Sequence, residues 1–165
     1  MKKSNPWIVK VFILLSIIST SCNSKNTCEP TDDQKKLIST EIETIVRNFF
    51  NPNTLTYETH TGLRANKEGY VMGGEGKILF TDYSTYNETM KSSFTGIQRF
   101  TDFETVAIYV YVLCKDAATC TTEFKSKFLT TVGDTVINNG CWTFVFKKFD
   151  NEWKVIQENG THLSQ

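Results

Sequence analysis

What the sequence lacks narrows its chemistry. It has only two histidines, His60 and His162, no Cys-x-x-Cys and no histidine spaced as a ligand to a cysteine, so a metal site finds no support in the pattern. The stretch "VMGGEGK" lacks the spacing of a phosphate-binding loop, and Gly73, Gly74 and Gly76 read instead as a turn. No Gly-x-Ser-x-Gly marks a nucleophile, and no cysteine has a base beside it. Basic and acidic residues balance at 18 each, which gives no electrostatic footprint for nucleic acid. None of these patterns implies a cofactor. What remains is a chain of 165 residues with enough apolar and aromatic side chains for one ordinary core.

The first residues carry a different message. "MKKSNPWIVKVFILLSIISTSC" has a basic start (Lys2, Lys3, Lys10), an apolar run from Val11 to Ile18 and a small polar ending at Cys22, the layout of an export signal too short for a comfortable membrane span. Its close, "ISTSC", resembles the lipobox of bacterial lipoproteins, with Ser19 where the commonest pattern has Leu. That resemblance implies cleavage before Cys22, acylation of its thiol and stable membrane attachment through more than one chain. Asn23 is not the Asp that retains lipoproteins at the inner membrane in enteric-type sorting, so the expected place is the outer membrane of a bacterial envelope. Residues 1–22 are then the signal peptide, 23–30 a polar tether and 31–165 the domain. Losing the leader removes three lysines and no acids, leaving 15 basic and 18 acidic residues, net −3.

Four cysteines remain, and export makes disulfides permissible. Cys114 and Cys120 flank "KDAAT" between two strand-like runs, so a bridge closing that hairpin is expected; Cys28 and Cys141 read either as a second bridge or as free thiols.

Along the chain, "TDDQKKLISTEIETIVRNFFN" has the capping-box pair Thr31 and Gln34 and apolar residues at helical spacing, and predicts a long helix that "NPN" ends. Leu55–Phe80 stays ambiguous. "DYSTYNETMKSSF" predicts a shorter helix with Tyr83, Tyr86, Met90 and Phe94 on one side. Four runs rich in β-branched and aromatic residues follow: "FETVAIYVYVLC", "TTEFKSKFLTTV", "GCWTFVFKKF" and "EWKVIQENGTHL". They predict an antiparallel meander, and the fold class is α+β, helices first and sheet last.

The end of the chain, Thr143-Phe144-Val145-Phe146-Lys147, the turn Asp150-Asn151, then Trp153-Lys154-Val155-Ile156-Gln157-Glu158-Asn159, resembles the closing hairpin of the nuclear-transport-factor-2-like superfamily, in particular its polyketide-cyclase-like (SnoaL-like) branch. The resemblance implies a cone, a curved antiparallel sheet wrapped around the helices with a mouth leading to a pocket, and an architecture that many members pair through the outer sheet face. Members serve as isomerases, dehydratases, hydrolases or binding chambers, so the fold does not settle function.

Where relatives often carry His-x-His, strand alternation from Trp153 places Gln157 and Asn159, whose amides do not titrate. No catalytic residue stands out: His162 and Glu158 share a strand parity but sit about 13 Å apart along it, and His60 has no identifiable partner. Tyr70, Tyr83, Tyr86, Tyr111, Trp142 and Gln157 are the expected pocket residues, because a buried hydroxyl, amide or indole N–H needs a polar partner. The expectation is a lipid-anchored envelope protein whose cone binds a small apolar or aromatic molecule or serves as an interaction module. Its rivals are a cofactor-free isomerase or lyase with an acid/base pair in the cone, and a dimerisation domain with a filled cavity. The expected partners are the membrane through the anchor, a small molecule, and a second copy in a homodimer.

Overall fold

The computed structural model describes residues 28–164. The signal peptide, Cys22 and the tether up to Thr27 lie outside the described residues. In chain order the elements are α1 (Asp32–Phe49), α2 (Tyr57–Gly62), β1 (Val71–Gly74), β2 (Lys77–Phe80), α3 (Tyr83–Thr95), β3 (Ile97–Cys114), β4 (Ala117–Thr130), β5 (Thr135–Phe149) and β6 (Glu152–Ser164).

Helix α1 starts where its capping box sets it. The Thr31 hydroxyl accepts from the Gln34 N–H at 3.3 Å, and the Gln34 side-chain oxygen accepts from the Thr31 N–H at 3.0 Å. Its apolar stripe buries Ile38, Ile42 and Val46. The ambiguous middle resolves into α2, capped by Thr56, and a β1–β2 hairpin that turns through Glu75 and Gly76 at φ 52° and 77°. Helix α3 is capped by Asp82, whose carboxylate accepts from the Thr85 N–H at 2.8 Å.

The strands form one curved six-stranded sheet in the order β2-β1-β6-β5-β4-β3. Strands β3 to β6 make the antiparallel meander read from the sequence. The sheet is mixed rather than wholly antiparallel, because β1 joins β6 in parallel. Aromatic rings fill the space between α1 and the inner face: Phe50 stacks on Phe103 at 4.5 Å and on Phe124 at 5.1 Å, and Phe49 meets Phe144 edge-on at 6.1 Å. Each fully buried ring of this kind stabilises by about 1.5–3 kcal/mol from water exclusion.

The cysteine pairing differs from expectation. Cys114 is bonded to Cys28, with Cα atoms 5.1 Å apart, whereas Cys120 is free and buried and Cys141 free and exposed. The reason is the turn: β3 and β4 meet through Lys115 and Asp116 alone, with Cys114 opposite Ala117 and Cys120 opposite Val110. Cys120 therefore lies about 13 Å up the hairpin from Cys114, far beyond bridging distance. Burial pushes the Cys120 thiol up to about 12, with Glu43 adding to the effect.

A bulge in β6 changes which residues face the helices. Val145 pairs with Gln157 and Phe146 with Val155, so Ile156 is an extra residue on β6. Trp153 and Val155 point inward before it and Glu158 after it, all under 10 % exposed, while Gln157 and Asn159 face solvent. The regular alternation expected from Trp153 fails at this residue.

Candidate functional site

Backbone pairing places the polar centre of the interior. Leu63 to Ala65 runs alongside β6, the Ala65 N–H donating to the Val155 carbonyl at 2.8 Å and the Val155 N–H to the Leu63 carbonyl at 2.9 Å. Arg64 is thereby set beside the inward carboxylate of Glu158. The guanidinium grips it with two parallel bonds, Nε to Oε1 at 2.9 Å and an Nη to Oε2 at 2.8 Å. Tyr70 donates its hydroxyl to Oε1 at 2.6 Å, and the Trp142 indole N–H donates to Oε2 at 2.9 Å. A further guanidinium N–H goes to the His60 carbonyl at 2.6 Å, and the guanidinium carbon lies 4.8 Å from the centre of the Phe49 ring.

These contacts settle the protonation states. Burial alone would raise the Glu158 carboxyl, but the Arg64 charge and the hydrogen bonds from Arg64, Tyr70 and Trp142 outweigh it and hold the group below its ordinary value. Burial alone would lower the Arg64 value, and the Glu158 charge more than reverses that. Burial, reinforced by the Glu158 charge and the bond to it, raises the Tyr70 phenol above its ordinary value. The centre is an ion pair with each carboxylate oxygen accepting two bonds, and it has no lone pair directed at open space.

His60 sits one helical turn before Arg64. Its Nδ1 is 3.0 Å from the Tyr86 hydroxyl, and its ring packs on Phe49 and Phe94 at 5.4 and 5.2 Å. Burial first, and the Arg64 charge second, push His60 well below its ordinary value, so the imidazole is neutral.

Of the residues expected to line a pocket, Tyr70, Tyr86 and Trp142 meet in this cluster, and Tyr83 flanks it, edge-on to Tyr70 at 6.1 Å. Tyr111 and Gln157 do not: both are exposed on the outer face, Tyr111 because β3 alternates it with the inward Val110 and Val112, Gln157 because of the bulge. Glu158 and His162, weighed as weak catalytic candidates, do not pair, since Glu158 belongs to Arg64. His162 instead lies at the surface, its backbone N–H donating to Glu75 at 3.0 Å and its Nδ1 3.4 Å from the same carboxylate. Arg64 was missed, and its signal was slight, a single basic residue between Leu63 and Ala65. Cys28, Cys114 and Asp116 come within 4.8 Å of one another, but the two sulfurs are spent on their mutual bond and offer no thiolate.

Among the described residues, three surface clefts can be named, two of which touch the edge of the cluster, one at Arg64 and one at Tyr70. One of about 690 Å³ lies between α1 and the start of β6, beside Leu37, Glu41, Lys148 and Trp153. Another of about 510 Å³ touches Arg64, Ala65, Tyr83 and Phe149, and the third, of about 400 Å³, touches Ala65, Tyr70, Phe149 and Ile156. His60, Tyr86, Trp142 and Glu158 line none of them.

The outer face of the sheet is of another character. Tyr111, Thr119, Val145 and Gln157 form one row across four strands, and Tyr109, Thr121, Thr143 and Asn159 the next. Tyr109 and Tyr111 are 73 % and 70 % exposed. No charge interrupts either row; the next row holds the exposed Glu123, beyond it Lys125 pairs with Glu104 at 3.2 Å, and at the other margin Lys147 pairs with Asp116 at 2.6 Å.

No family model and no curated protein matches the chain. Solved structures do match in fold. A candidate scytalone dehydratase from Novosphingobium aromaticivorans is 14 % identical, with 82 % of this chain and 91 % of that one covered at a TM-score of 0.68. A type 2 hexachlorocyclohexane dehydrochlorinase is 9 % identical over 82 % and 92 % of the two chains, TM-score 0.63. A nuclear-transport-factor-2-like superfamily protein from Salmonella enterica serovar Typhimurium is 12 % identical over 76 % and 90 %, TM-score 0.64. The fold is thus that of the nuclear-transport-factor-2-like superfamily, and such identities speak to fold alone.

Proposed function

We propose that this protein is a lipid-anchored module of the bacterial cell envelope, held by acylated Cys22 to the outer membrane, that works by association through the outer face of its sheet. The observation that carries the reading is the contrast in satisfaction between the two faces. Inside, Arg64, Tyr70 and Trp142 all bond to Glu158; outside, Tyr109 and Tyr111 stand exposed in uncharged rows. The partner is a second copy of the chain. A two-fold axis over the two uncharged rows opposes neutral rows to neutral rows; the marginal pairs Lys125–Glu104 and Lys147–Asp116 add no like-charge conflict, and Glu123, which has no ion pair among the described residues, lies beside the patch rather than in it.

The test is native mass spectrometry of the mature chain carrying Cys22→Ala, which reports assembly and retained ligand together. A dimer that Tyr109→Lys with Tyr111→Glu converts to monomer supports the reading; a monomer at high micromolar concentration overturns it. Acylation is checked separately by palmitate labelling, which Cys22→Ala must abolish.

A second reading, binding of a small apolar or aromatic molecule, is favoured by the cleft against Arg64, Ala65, Tyr83 and Phe149. It expects a co-purifying mass lost in Tyr83→Ala. The enzyme rival draws on the names of two structural neighbours, a dehydratase and a dehydrochlorinase. In this chain its acid/base unit would be His60 with Tyr86, and turnover abolished by His60→Gln would favour it.

A further inference from the structure

We propose that the end of the sheet carrying the β3–β4 and β5–β6 turns faces the bilayer, and that the β4–β5 turn around Val132 and Gly133 is held away from it. The proposal rests on the acylation of Cys22 put forward above.

The disulfide provides the argument. In a meander the two turns at Lys115–Asp116 and Asp150–Asn151 lie at one end, and the Lys148 N–H donating to the Asp116 carbonyl at 2.8 Å ties them together. The chain leading in from the anchor is bonded to that end through Cys28–Cys114, and the Lys115 N–H donates to the Cys28 carbonyl at 3.3 Å. Between Cys22 and Cys28 even a fully extended chain spans no more than about 20 Å. Strand β4 alone, Ala117–Thr130, runs about 45 Å to the opposite turn. The near end is therefore confined to the membrane's neighbourhood by a covalent loop, and the far end is not. Without the bridge the first fixed point is the start of α1 at Asp32, and the reach grows to about 35 Å.

A mature chain of net −3 gains nothing electrostatically by spreading on an anionic leaflet, which favours standing upright over lying flat. A two-fold pair with its axis along the strands and normal to the bilayer accommodates this, with both turn ends downward.

The experiment reconstitutes the full lipidated chain in phosphatidylethanolamine–phosphatidylglycerol vesicles whose headgroups carry an energy-transfer acceptor. A fluorescent non-natural residue replaces Lys115 in one sample and Val132 in another. Transfer severalfold stronger from position 115 is the expected result, and Cys28→Ser should narrow that difference while the protein stays on the vesicles. Equal transfer from both positions, or stronger transfer from 132, overturns the orientation. Failure of the anchor reading would look different: no acyl mass on the amino-terminal peptide and no co-sedimentation with vesicles.

Discussion

Gln157 and Glu158 are neighbours on β6, yet one side chain meets solvent and the other is 1 % exposed and holds four hydrogen bonds. The same division runs across the sheet, whose inner face surrounds an ion pair among aromatic rings while the middle of its outer face carries two rows of tyrosines, threonines and amides without a charge. On the inside each polar atom is answered from within the chain, because a buried polar group left unpaired costs more than a bond contributes. Outside, Thr121 and Thr143 bond to each other at 2.9 Å, while Tyr109 and Tyr111 stand exposed where a partner can meet them. The difference teaches where to look for function: in a saturated interior a substitution acts on stability, and on an open face it acts on association.

The strongest way to break the contrast is to unpair the interior. Arg64→Met leaves the Glu158 carboxylate buried without its cation, and a loss of about 3–5 kcal/mol is expected for one partner removed from a buried pair. Chemical denaturation with urea measures it. Adding Glu158→Leu to the same chain should recover part of the loss, since no charge is stranded, but not all of it, because Tyr70 and Trp142 then lose their acceptor. A loss below about 1 kcal/mol in Arg64→Met would mean that the cluster is open to water and the contrast false.

Next in size is the bridge that ties the tether to the turn end. Cys28→Ser should cost about 2–4 kcal/mol, as expected for opening a long disulfide loop, and reductant should have the same effect on the unaltered protein. A non-reducing peptide map decides the pairing directly, and a Cys114–Cys120 linkage would contradict the structure.

Acid should reach the interior before it reaches the outer face. Glu158 and His60 both have folded-state values below their unfolded ones, so each contributes stability that is complete above its unfolded value and lost as pH falls towards the folded one. For His60 the decline begins near about 6.5 and for Glu158 near about 4.3. The urea midpoint should therefore fall in two stages on acidification. His60→Phe should remove the upper stage and leave the lower one, and an unchanged upper stage would assign it to another group.

Much of this molecule was legible in its sequence, and the parts that were not share a cause. Helix α1 was readable because Thr31, Gln34 and an unbroken apolar stripe agree with one another. The four-strand meander was readable because β-branched runs and turns alternate. Three features depend on a local offset that no periodicity announces. The extra residue Ile156 turns Glu158 inward, a two-residue turn separates Cys114 from Cys120, and Arg64 gains its role only from the pairing of Leu63–Ala65 with Val155. Strict alternation from Trp153 gave the right faces up to Val155 and the wrong ones beyond it. The candidate centre was therefore half visible: Tyr70, Tyr86 and Trp142 were chosen for needing polar partners, but Glu158, which Tyr70 and Trp142 share, was weighed only against His162, and the Tyr86 hydroxyl meets His60 instead.

The smallest change in stability should come from the outer face. Tyr111→Lys places a charge in a row formed by Thr119, Val145 and Gln157, at a position 70 % exposed, so the folded monomer should shift by no more than about 0.5 kcal/mol. In a two-fold pair each copy would bring that lysine to the interface, and desolvation with like-charge repulsion should shift the dimer towards monomer in sedimentation at matched concentrations. Arg64→Met should show the reverse, a large fall in the urea midpoint with assembly retained wherever the chain is still folded. If Tyr111→Lys instead lowered stability by several kcal/mol with no change in assembly, the outer row would be part of the core's support, and the division between a saturated inside and an available outside would have to be redrawn.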